Sequence, residues 1–301
     1  MTATSPLNTS EATANLRAAL LMVGAMATFA VEDAAIKALT MRLPVGQVLV
    51  TLGLLGMAVF WVLLRRAGGR LFTRALLIPA VLLRNGGEAV GAVGLTLALA
   101  LTDLASASAI LQALPLALVM GSALFLKEKV GWRRWAAILV GFAGVLLIIR
   151  PGAAGFQPQS ALTLVGVVGL AARDLATRRM PARVPSHQLS ASAFAALVPA
   201  GLALAWVQGT PMLAPTRPEA LGFLGCMAFS VLGYAMMVGA TRAGEASLIA
   251  PLRYVRLIFA LLIAVAVFGE RPDAATLAGA ALIVGSGGFA MWRELVRNRP
   301  R

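Results

Sequence analysis

The chain has 301 residues, of which 59% are hydrophobic and 13% are charged. A soluble domain carries about a quarter charged residues, so this composition excludes an ordinary water-soluble protein and predicts an all-α polytopic membrane protein. The formal net charge is +14, but the basic residues stand between apolar runs instead of forming a basic face with aromatic residues, so no nucleic-acid partner is expected.

Residues 1–15 are small and polar, and they are predicted to form a disordered tail. After them, apolar runs of about 20 residues predict ten transmembrane helices in a lipid bilayer. The predicted spans are Leu16–Leu39, Val45–Leu64, Ala75–Leu101, Ala105–Leu126, Trp132–Ile149, Ser160–Arg178, His187–Gln208, Ala220–Thr241, Ala246–Phe268 and Ala274–Trp292. The first run holds Glu32 and Asp33 and lacks a small-residue cleavage site, so it is interpreted as a retained span and not as a signal peptide.

Basic residues are unevenly distributed between the predicted spans. With a cytoplasmic N-terminus, 17 of the 26 Lys and Arg residues fall in cytoplasmic segments and 5 in outer segments. The other four lie inside spans: Arg84, Arg173, Arg253 and Arg256. Because cytoplasmic loops carry an excess of Lys and Arg, both termini are predicted to face the cytoplasm.

One pattern of polar residues occurs twice in the chain. Its first copy is Glu32-Asp33, Lys37, Arg42, Pro44 and Gln47, and its second copy, 141 positions later, is Arg173-Asp174, Arg178, Arg183, Pro185 and Gln188. Each copy opens a unit of five spans, and an odd number of spans makes the second unit enter the membrane from the opposite side. The sequence therefore predicts two inverted five-helix repeats, residues 16–150 and 160–292, and a basic cytoplasmic tail, residues 293–301. Inverted repeats place a binding site near the bilayer midplane, in an architecture typical of alternating access.

Four short segments repeat known family features. They are Lys127-Glu128 after the fourth span, Phe268-Gly269-Glu270 after the ninth, residues 246–252 at the entry to the ninth, and residues 279–283 in the tenth. Through them the chain, from about Leu16 to Trp292, resembles the ten-helix drug/metabolite transporter superfamily with paired EamA-type domains.

Within that superfamily the chain looks most similar to bacterial exporters of amino acids, the aromatic type in particular. The resemblance implies a multi-pass protein of the bacterial inner membrane that exports small molecules, with amino acids, including aromatic ones, as the expected substrates. Residues 111–115 depart from the pattern because they do not copy residues 253–257. The two half-sites are therefore chemically unequal.

Polar residues interrupt the middle of the third span at Arg84, Asn85 and Glu88. Such groups cannot face lipid and are expected to face a polar interior. They could hold the polar end of a substrate. Alternatively, Arg84 and Glu88 could form a structural pair at i, i+4.

The fourth and ninth spans carry prolines followed or preceded by polar residues. In the ninth, Arg253, Tyr254 and Arg256 follow Pro251, and the two arginines, three positions apart, are expected on one face. A substrate carboxylate at either arginine and an ammonium at Glu88 would suit a zwitterion, whereas paired networks with the acids of the spans are the structural alternative. The remaining candidates for the substrate site are Gln112 near Pro115, which could also sit at a mere kink, and Tyr234 and Tyr254, the two tyrosines of the chain.

The duplicated pattern also supplies candidates for gating or coupling. Asp33 with Lys37 and Asp174 with Arg178 stand in the favourable acid-first i, i+4 order, and Arg173 precedes the second pair. Each pair could be a latch that forms in one state and breaks in the other, or a fixed pair at a helix end.

Three classes of protein were compared on these residues. An intramembrane enzyme is not expected, because no histidine stands at membrane depth beside a nucleophile and the single Cys226 and single His187 argue against a metal site. A scaffold would have no reason to keep charges at mid-depth in both halves. The sequence therefore predicts a secondary transporter without cofactors, expected to act as a monomer. Nucleosides, polyamines and cationic drugs are alternative substrates.

The driving force of transport is left open by the sequence. No phosphate-binding loop for ATP is present, so transport could be driven by proton exchange through Glu88, Asp33 or Asp174, or it could be facilitated diffusion.

Overall fold

The structure is a computed structural model, and it describes residues 9–71, 73–128, 130–152, 157–180, 184–243, 249 and 251–298. Within these residues there are helices and no strands. The α-helices are α1 (Thr9–Thr40), α2 (Val45–Arg66), α3 (Pro79–Leu101), α4 (Leu104–Leu111), α5 (Leu114–Phe125), α6 (Trp132–Ile149), α7 (Ala161–Arg178), α8 (Ser186–Gln208), α9 (Arg217–Ala243), α10 (Val255–Phe268) and α11 (Ala274–Asn298). Two 3₁₀ helices cover Arg74–Leu77 and Pro158–Ser160.

Eight helical segments of the described residues are long and apolar enough to cross a membrane, α4 and α5 counting together as one. The two other predicted spans are outside this set of eight: the third corresponds to α3, which is 23 residues long and carries Arg84 and Glu88, and the ninth contains the shorter apolar α10. Large apolar side chains cover the outer surface, and Trp206 is 84% exposed. Such a surface is suited to lipid and not to water. The protein is a multi-pass membrane protein.

Several helix ends differ from the predicted spans. Residues 9–15, predicted to be disordered, begin α1, because Glu11, Ala12 and Ala14 have high helix propensity. The third helix starts at Pro79 instead of Ala75, since proline lacks an amide hydrogen and fits the first position of a helix. At the other end of the chain, α11 continues to Asn298, into the predicted tail.

The fourth predicted span is broken in two. α4 ends at Leu111 and α5 begins at Leu114, with Pro115 in its first turn. The ninth span is broken at the corresponding place, by a turn at Arg253 and Tyr254 before α10. Its predicted first residues, 246–248, and residue 250 lie outside the described residues.

Helices of the first half pack against helices of the second. The largest contacts join α1 with α9, α2 with α8, α3 with α7 and α6 with α11, and α4 packs on α10. Glycines permit the close approach. A Cβ atom on Gly87 of α3 would lie 2.7 Å from the backbone nitrogen of Arg173 on α7, and one on Gly144 of α6 would lie 2.7 Å from the carbonyl oxygen of Gly279 on α11. Small residues at such crossings are typical of membrane helix packing.

Candidate functional site

Charged and polar side chains from five helices meet in the middle of the bundle. We call this group the central polar cluster. It consists of Glu32 and Asp33 on α1, Arg84, Asn85 and Glu88 on α3, Arg173 and Asp174 on α7, Ser230 and Tyr234 on α9, and Arg256 on α10. Both halves of the chain contribute, and eight of the thirteen predicted site residues belong to it.

Arg173 joins two carboxylates across the contact of α3 with α7. Its Nη1 atom lies 3.2 Å from Glu88 Oε1, and its Nε atom donates a 2.7 Å hydrogen bond to Asp174 Oδ1. Gly87, one residue before Glu88, leaves room for the backbone of Arg173. The pairs Arg84–Glu88 and Asp174–Arg178 are therefore not formed in this structure, because Arg173 is the ionic partner of both carboxylates.

Asp33 pairs with Arg256 of α10, 223 positions away in the chain. The Nη2 and Nε atoms of Arg256 lie 2.6 Å and 3.1 Å from Asp33 Oδ2, and Asp33 is 3% exposed. The guanidinium of Arg256 also lies 5.4 Å from the centre of the Phe29 ring. The Asp33–Lys37 pair is not formed in this structure, since burial against α10 gives Asp33 a closer cationic partner.

Arg84 is held by uncharged oxygen atoms. Its Nη1 atom donates to the Leu189 carbonyl at 2.9 Å and to Asn85 Oδ1 at 3.4 Å, and Asn85 Oδ1 also accepts from Ser192 at 3.3 Å. The Nε atom of Arg84 is buried without a hydrogen-bond partner. Glu88, Arg173, Asp174 and Tyr234 are near enough to Arg84 to interact with it electrostatically.

Glu32 lies between the Asp33–Arg256 pair and α9. It interacts electrostatically with Asp33, Arg256 and Glu88, and with the Ser230 side chain of α9. In the sequence Glu32 is a carboxylate within a predicted span, and it is not among the predicted site residues. The signal that could have found it is the repeat itself, because Glu32 occupies the position of Arg173.

The two helix breaks meet beside the cluster. Gln112, buried at the break between α4 and α5, donates from Nε2 to the Arg253 carbonyl at 3.4 Å. The Arg253 side chain is exposed. The expectation that Arg253 and Arg256 share one face is wrong, because the turn at Arg253 and Tyr254 rotates the chain between them. Tyr254 is 6% exposed and packs on Gly287, and its hydroxyl has no hydrogen-bond partner among the described residues.

Lys37 and Arg178 lie outside the cluster, at helix ends. Lys37 Nζ lies 2.6 Å from the Thr102 carbonyl and 3.5 Å from Glu270 Oε1. Glu270 in turn accepts from the backbone amides of Leu104 and Ala105, at 2.8 Å and 3.0 Å, and so caps α4.

At the other end, Arg178 lies 3.5 Å from Glu128 and hydrogen-bonds Ser122 Oγ at 3.1 Å. Glu128 and Glu270 stand out in the sequence only as family features. In the structure they are the ionic partners of Arg178 and Lys37. Helix spacing alone could not reveal them.

Comparison with known proteins decides the family. The EamA-like transporter family profile matches the chain twice, over residues 16–150 and residues 159–291. The chain belongs to the EamA-like transporter family. Members of this family are transporters, in agreement with the prediction that the chain is not an enzyme.

Several characterised bacterial transporters are similar to this EamA-like protein. The pseudopaline exporter CntI of Pseudomonas aeruginosa is 27% identical over 267 residues, 88% of this chain and 92% of that protein. The S-adenosylmethionine uptake transporter of Rickettsia bellii is 27% identical over 66% of this chain and 67% of its own length. The riboflavin transporter of Rhizobium johnstonii is 27% identical over 67% of this chain and 66% of its own length. None of these three is named as an amino-acid exporter.

A solved crystal structure shares the fold of this EamA-like transporter. It aligns with a TM-score of 0.60 and 22% sequence identity, over 97% of this chain and all of the other.

The chemistry available to the EamA-like protein is binding by charge and hydrogen bonds. Among the residues that the structure describes, no group of three or more His, Cys, Asp or Glu side chains is arranged so that it could hold a metal ion. The charged groups of the cluster instead present four carboxylates and three guanidinium groups at buried or partly buried positions, where polar groups need partners. They can recognise a polar ligand of matching charge.

Proposed function

We propose that this protein is a secondary transporter that moves small amphipathic metabolites across the bacterial inner membrane by alternating access, with the central polar cluster as its binding site. The observation that carries the proposal is that two of the three ion pairs described in the cluster cross between the halves. Glu88 belongs to the first half and Arg173 to the second, and Asp33 belongs to the first half and Arg256 to the second. Charges inside a membrane mark substrate paths, and relative movement of the halves would remake these pairs.

Matching contacts support an inverted arrangement of the two halves. Leu213 follows α8, and Gln47 binds its backbone twice. Gln47 Nε2 donates to the Leu213 carbonyl at 2.6 Å, and Gln47 Oε1 accepts from the Leu213 backbone amide at 2.8 Å. Gln188, 141 positions after Gln47, donates to the Leu71 carbonyl at 2.8 Å and to Thr73 Oγ1 at 2.7 Å, after α2. Each glutamine thus fastens the chain that follows the second helix of the opposite half. Two copies related by a pseudo-twofold axis would make such reciprocal contacts.

A second reciprocal pair lies at the two ends of the bundle. We call Lys37–Glu270 the first clasp and Arg178–Glu128 the second clasp. Arg178 follows Lys37 by 141 positions and Glu270 follows Glu128 by 142, so each clasp joins equivalent residues of opposite halves. Both pairs measure 3.5 Å, but the side chains of the first clasp are 15% and 8% exposed and those of the second 53% and 50%. This difference supports a state closed at the first clasp and more open at the second.

The net charge of the cluster supports substrates that carry a positive group. The cluster has four carboxylates and three guanidinium groups, because the exposed Arg253 does not belong to it. It therefore has one more negative than positive group. Amino acids, including aromatic ones, fit this balance, and Tyr234, 44% exposed, offers an aromatic surface beside Arg84. Polyamines and cationic drugs form the second candidate class, which the same excess of negative charge favours.

Transport assays with purified protein in liposomes test the proposal. Liposomes preloaded with an unlabelled solute are expected to accumulate the same labelled solute by exchange for at least one member of a panel of amino acids, nucleosides, polyamines and cationic drugs. An Arg173→Gln variant is expected to lose that signal, because Glu88 and Asp174 would be left without their cation. A complete panel without exchange would count against a transporter.

A further inference from the structure

Two opposite charges of the central polar cluster have no ionic partner. Asp33 is paired with Arg256, and Glu88 and Asp174 share Arg173. Within the part of the chain that the structure describes, no basic nitrogen lies within 4.0 Å of the Glu32 carboxylate and no carboxylate oxygen lies within 4.0 Å of the Arg84 guanidinium.

Neither charge is neutralised by its polar neighbours. Glu32 has the Ser230 hydroxyl, and Arg84 has the Leu189 carbonyl and the Asn85 amide oxygen. The Nε atom of Arg84 is buried and has no partner. An unpaired charge away from water is costly, so both groups would gain free energy from a ligand that supplies the opposite charge.

The two groups are placed to act on one ligand. Ser230 and Tyr234 are one turn apart on α9, about 6 Å along the helix axis. Ser230 interacts with Glu32, and Tyr234 interacts electrostatically with Arg84. Glu88 interacts electrostatically with both charges, so Glu32 and Arg84 both lie in the surroundings of one carboxylate.

We propose that Glu32 with Ser230 binds the ammonium group of a zwitterionic substrate and that Arg84 binds its carboxylate. This inference rests on the proposed transport function and specifies the ligand. A carboxylate accepts hydrogen bonds from an ammonium group, and the planar guanidinium offers a fork of donors that matches a carboxylate. Arg253, Arg256 and Glu88, the binders expected from sequence, are exposed or already paired.

Three ligands that differ only in charge test the assignment. Phenylalanine carries both groups, phenylethylamine only the ammonium, and 3-phenylpropionate only the carboxylate. Binding to purified protein is measured by competition against labelled phenylalanine. The wild type is expected to bind phenylalanine at least tenfold more tightly than either analogue.

Each variant is expected to remove one half of this selectivity. Glu32→Gln should bind phenylalanine and 3-phenylpropionate with affinities within about threefold of each other, because the ammonium loses its counter-charge. Arg84→Gln should do the same for phenylalanine and phenylethylamine. Arg84→Lys keeps the charge and should keep the wild-type order, and it serves as the second variant if Arg84→Gln does not fold.

Glu219→Gln and Arg42→Gln are the matched controls, since they remove a carboxylate and an exposed guanidinium that pair with each other at 2.7 Å outside the cluster. Both should keep the wild-type order of the three ligands.

Two results would overturn the inference while leaving the transport function in place. One is a wild-type protein that binds phenylalanine but keeps the same order of ligands in both Glu32→Gln and Arg84→Gln. The other is a protein that binds none of the three ligands and still exchanges other solutes in liposomes. Absence of all exchange would overturn the inference and the proposed function together.

Discussion

Single charged residues inside the bundle choose partners by burial and not by spacing along a helix. Asp33 and Lys37 are one turn apart, yet Asp33 binds Arg256 and Lys37 binds Glu270 and the Thr102 carbonyl. A surface pair at i, i+4 is worth only about 0.2–0.5 kcal/mol. Asp33 is 3% exposed, so an oppositely charged partner in the same buried space stabilises it much more than a surface pair would. Spacing along one helix does not reveal such a partner.

The Asp33–Arg256 pair gives a prediction at this scale. Asp33→Asn should destabilise the protein by about 3–5 kcal/mol, because breaking a buried pair leaves Arg256 as an uncompensated charge. The double variant Asp33→Asn with Arg256→Gln should recover part of that loss. Thermal unfolding in detergent of the wild type, both single variants and the double variant measures the coupling between the two residues.

Asp273 provides the matched control for this measurement. It pairs with Arg150, but its side chain is 52% exposed. Hydrogen bonds from Arg150 and from the Thr276 backbone amide lower the pKa of Asp273 to about 2, so it stays ionised at neutral pH. Asp273→Asn should change stability by no more than about 1 kcal/mol, as for other exposed pairs. Equal losses for Asp33→Asn and Asp273→Asn would contradict the role of burial.

Helices were the part of the structure that the sequence predicted well. Runs of about 20 apolar residues identify a membrane helix directly, since every backbone polar group must be satisfied inside the segment. The breaks at Gln112 and Arg253 were foreseen only as proline effects. The position of each break also depends on the opposite half of the chain. The Gln112 amide in the first break donates to the Arg253 carbonyl in the second.

The crossing of α3 and α7 positions the Glu88–Arg173 pair, and it depends on glycine. A Cβ atom on Gly87 would lie 2.7 Å from two backbone atoms of α7, Arg173 N and Gly169 O, which cannot move independently. Gly87→Ala should therefore push α7 away, lower the melting temperature and reduce solute exchange in liposomes at least tenfold.

The neighbouring Gly86 is a matched control for that prediction. A Cβ atom on Gly86 would meet nothing within 4 Å, and alanine is the better helix former. Gly86→Ala should therefore keep or slightly raise the melting temperature and leave exchange unchanged. Similar losses in both variants would mean that the glycine pair acts by loosening α3 and not by letting α7 approach.

For the whole molecule, the two clasps differ in what they can contribute. The side chains of the second clasp are about half exposed, and a pair in that setting adds little to stability. The first clasp is largely buried and links several helices: Lys37 on α1 bonds the carbonyls of Leu99 and Thr102 at the end of α3, and it pairs with Glu270, which follows α10 and caps α4. If the halves move as proposed, breaking the first clasp should open that end of the bundle.

Labelling of a buried cysteine measures this opening. Thr102→Cys is introduced beside Lys37 after the single native cysteine is removed by Cys226→Ser, since Thr102 is 8% exposed. Adding Lys37→Met should raise its rate of reaction with a membrane-impermeant maleimide at least fivefold, because the bonds from Lys37 to α3 and Glu270 are lost.

The control is a second ion pair near the same end of α1. Arg42→Gln breaks the exposed pair with Glu219 and leaves the first clasp intact, so it should leave the labelling rate of Thr102→Cys unchanged. Equal acceleration by Lys37→Met and Arg42→Gln would mean that any lost charge loosens this end of the bundle. Acceleration by Lys37→Met alone would assign the closure to the first clasp, because both cations pair with an acid of the second half but Lys37 is 15% exposed and also bonds carbonyls of residues 99 and 102, whereas Arg42 is 52% exposed.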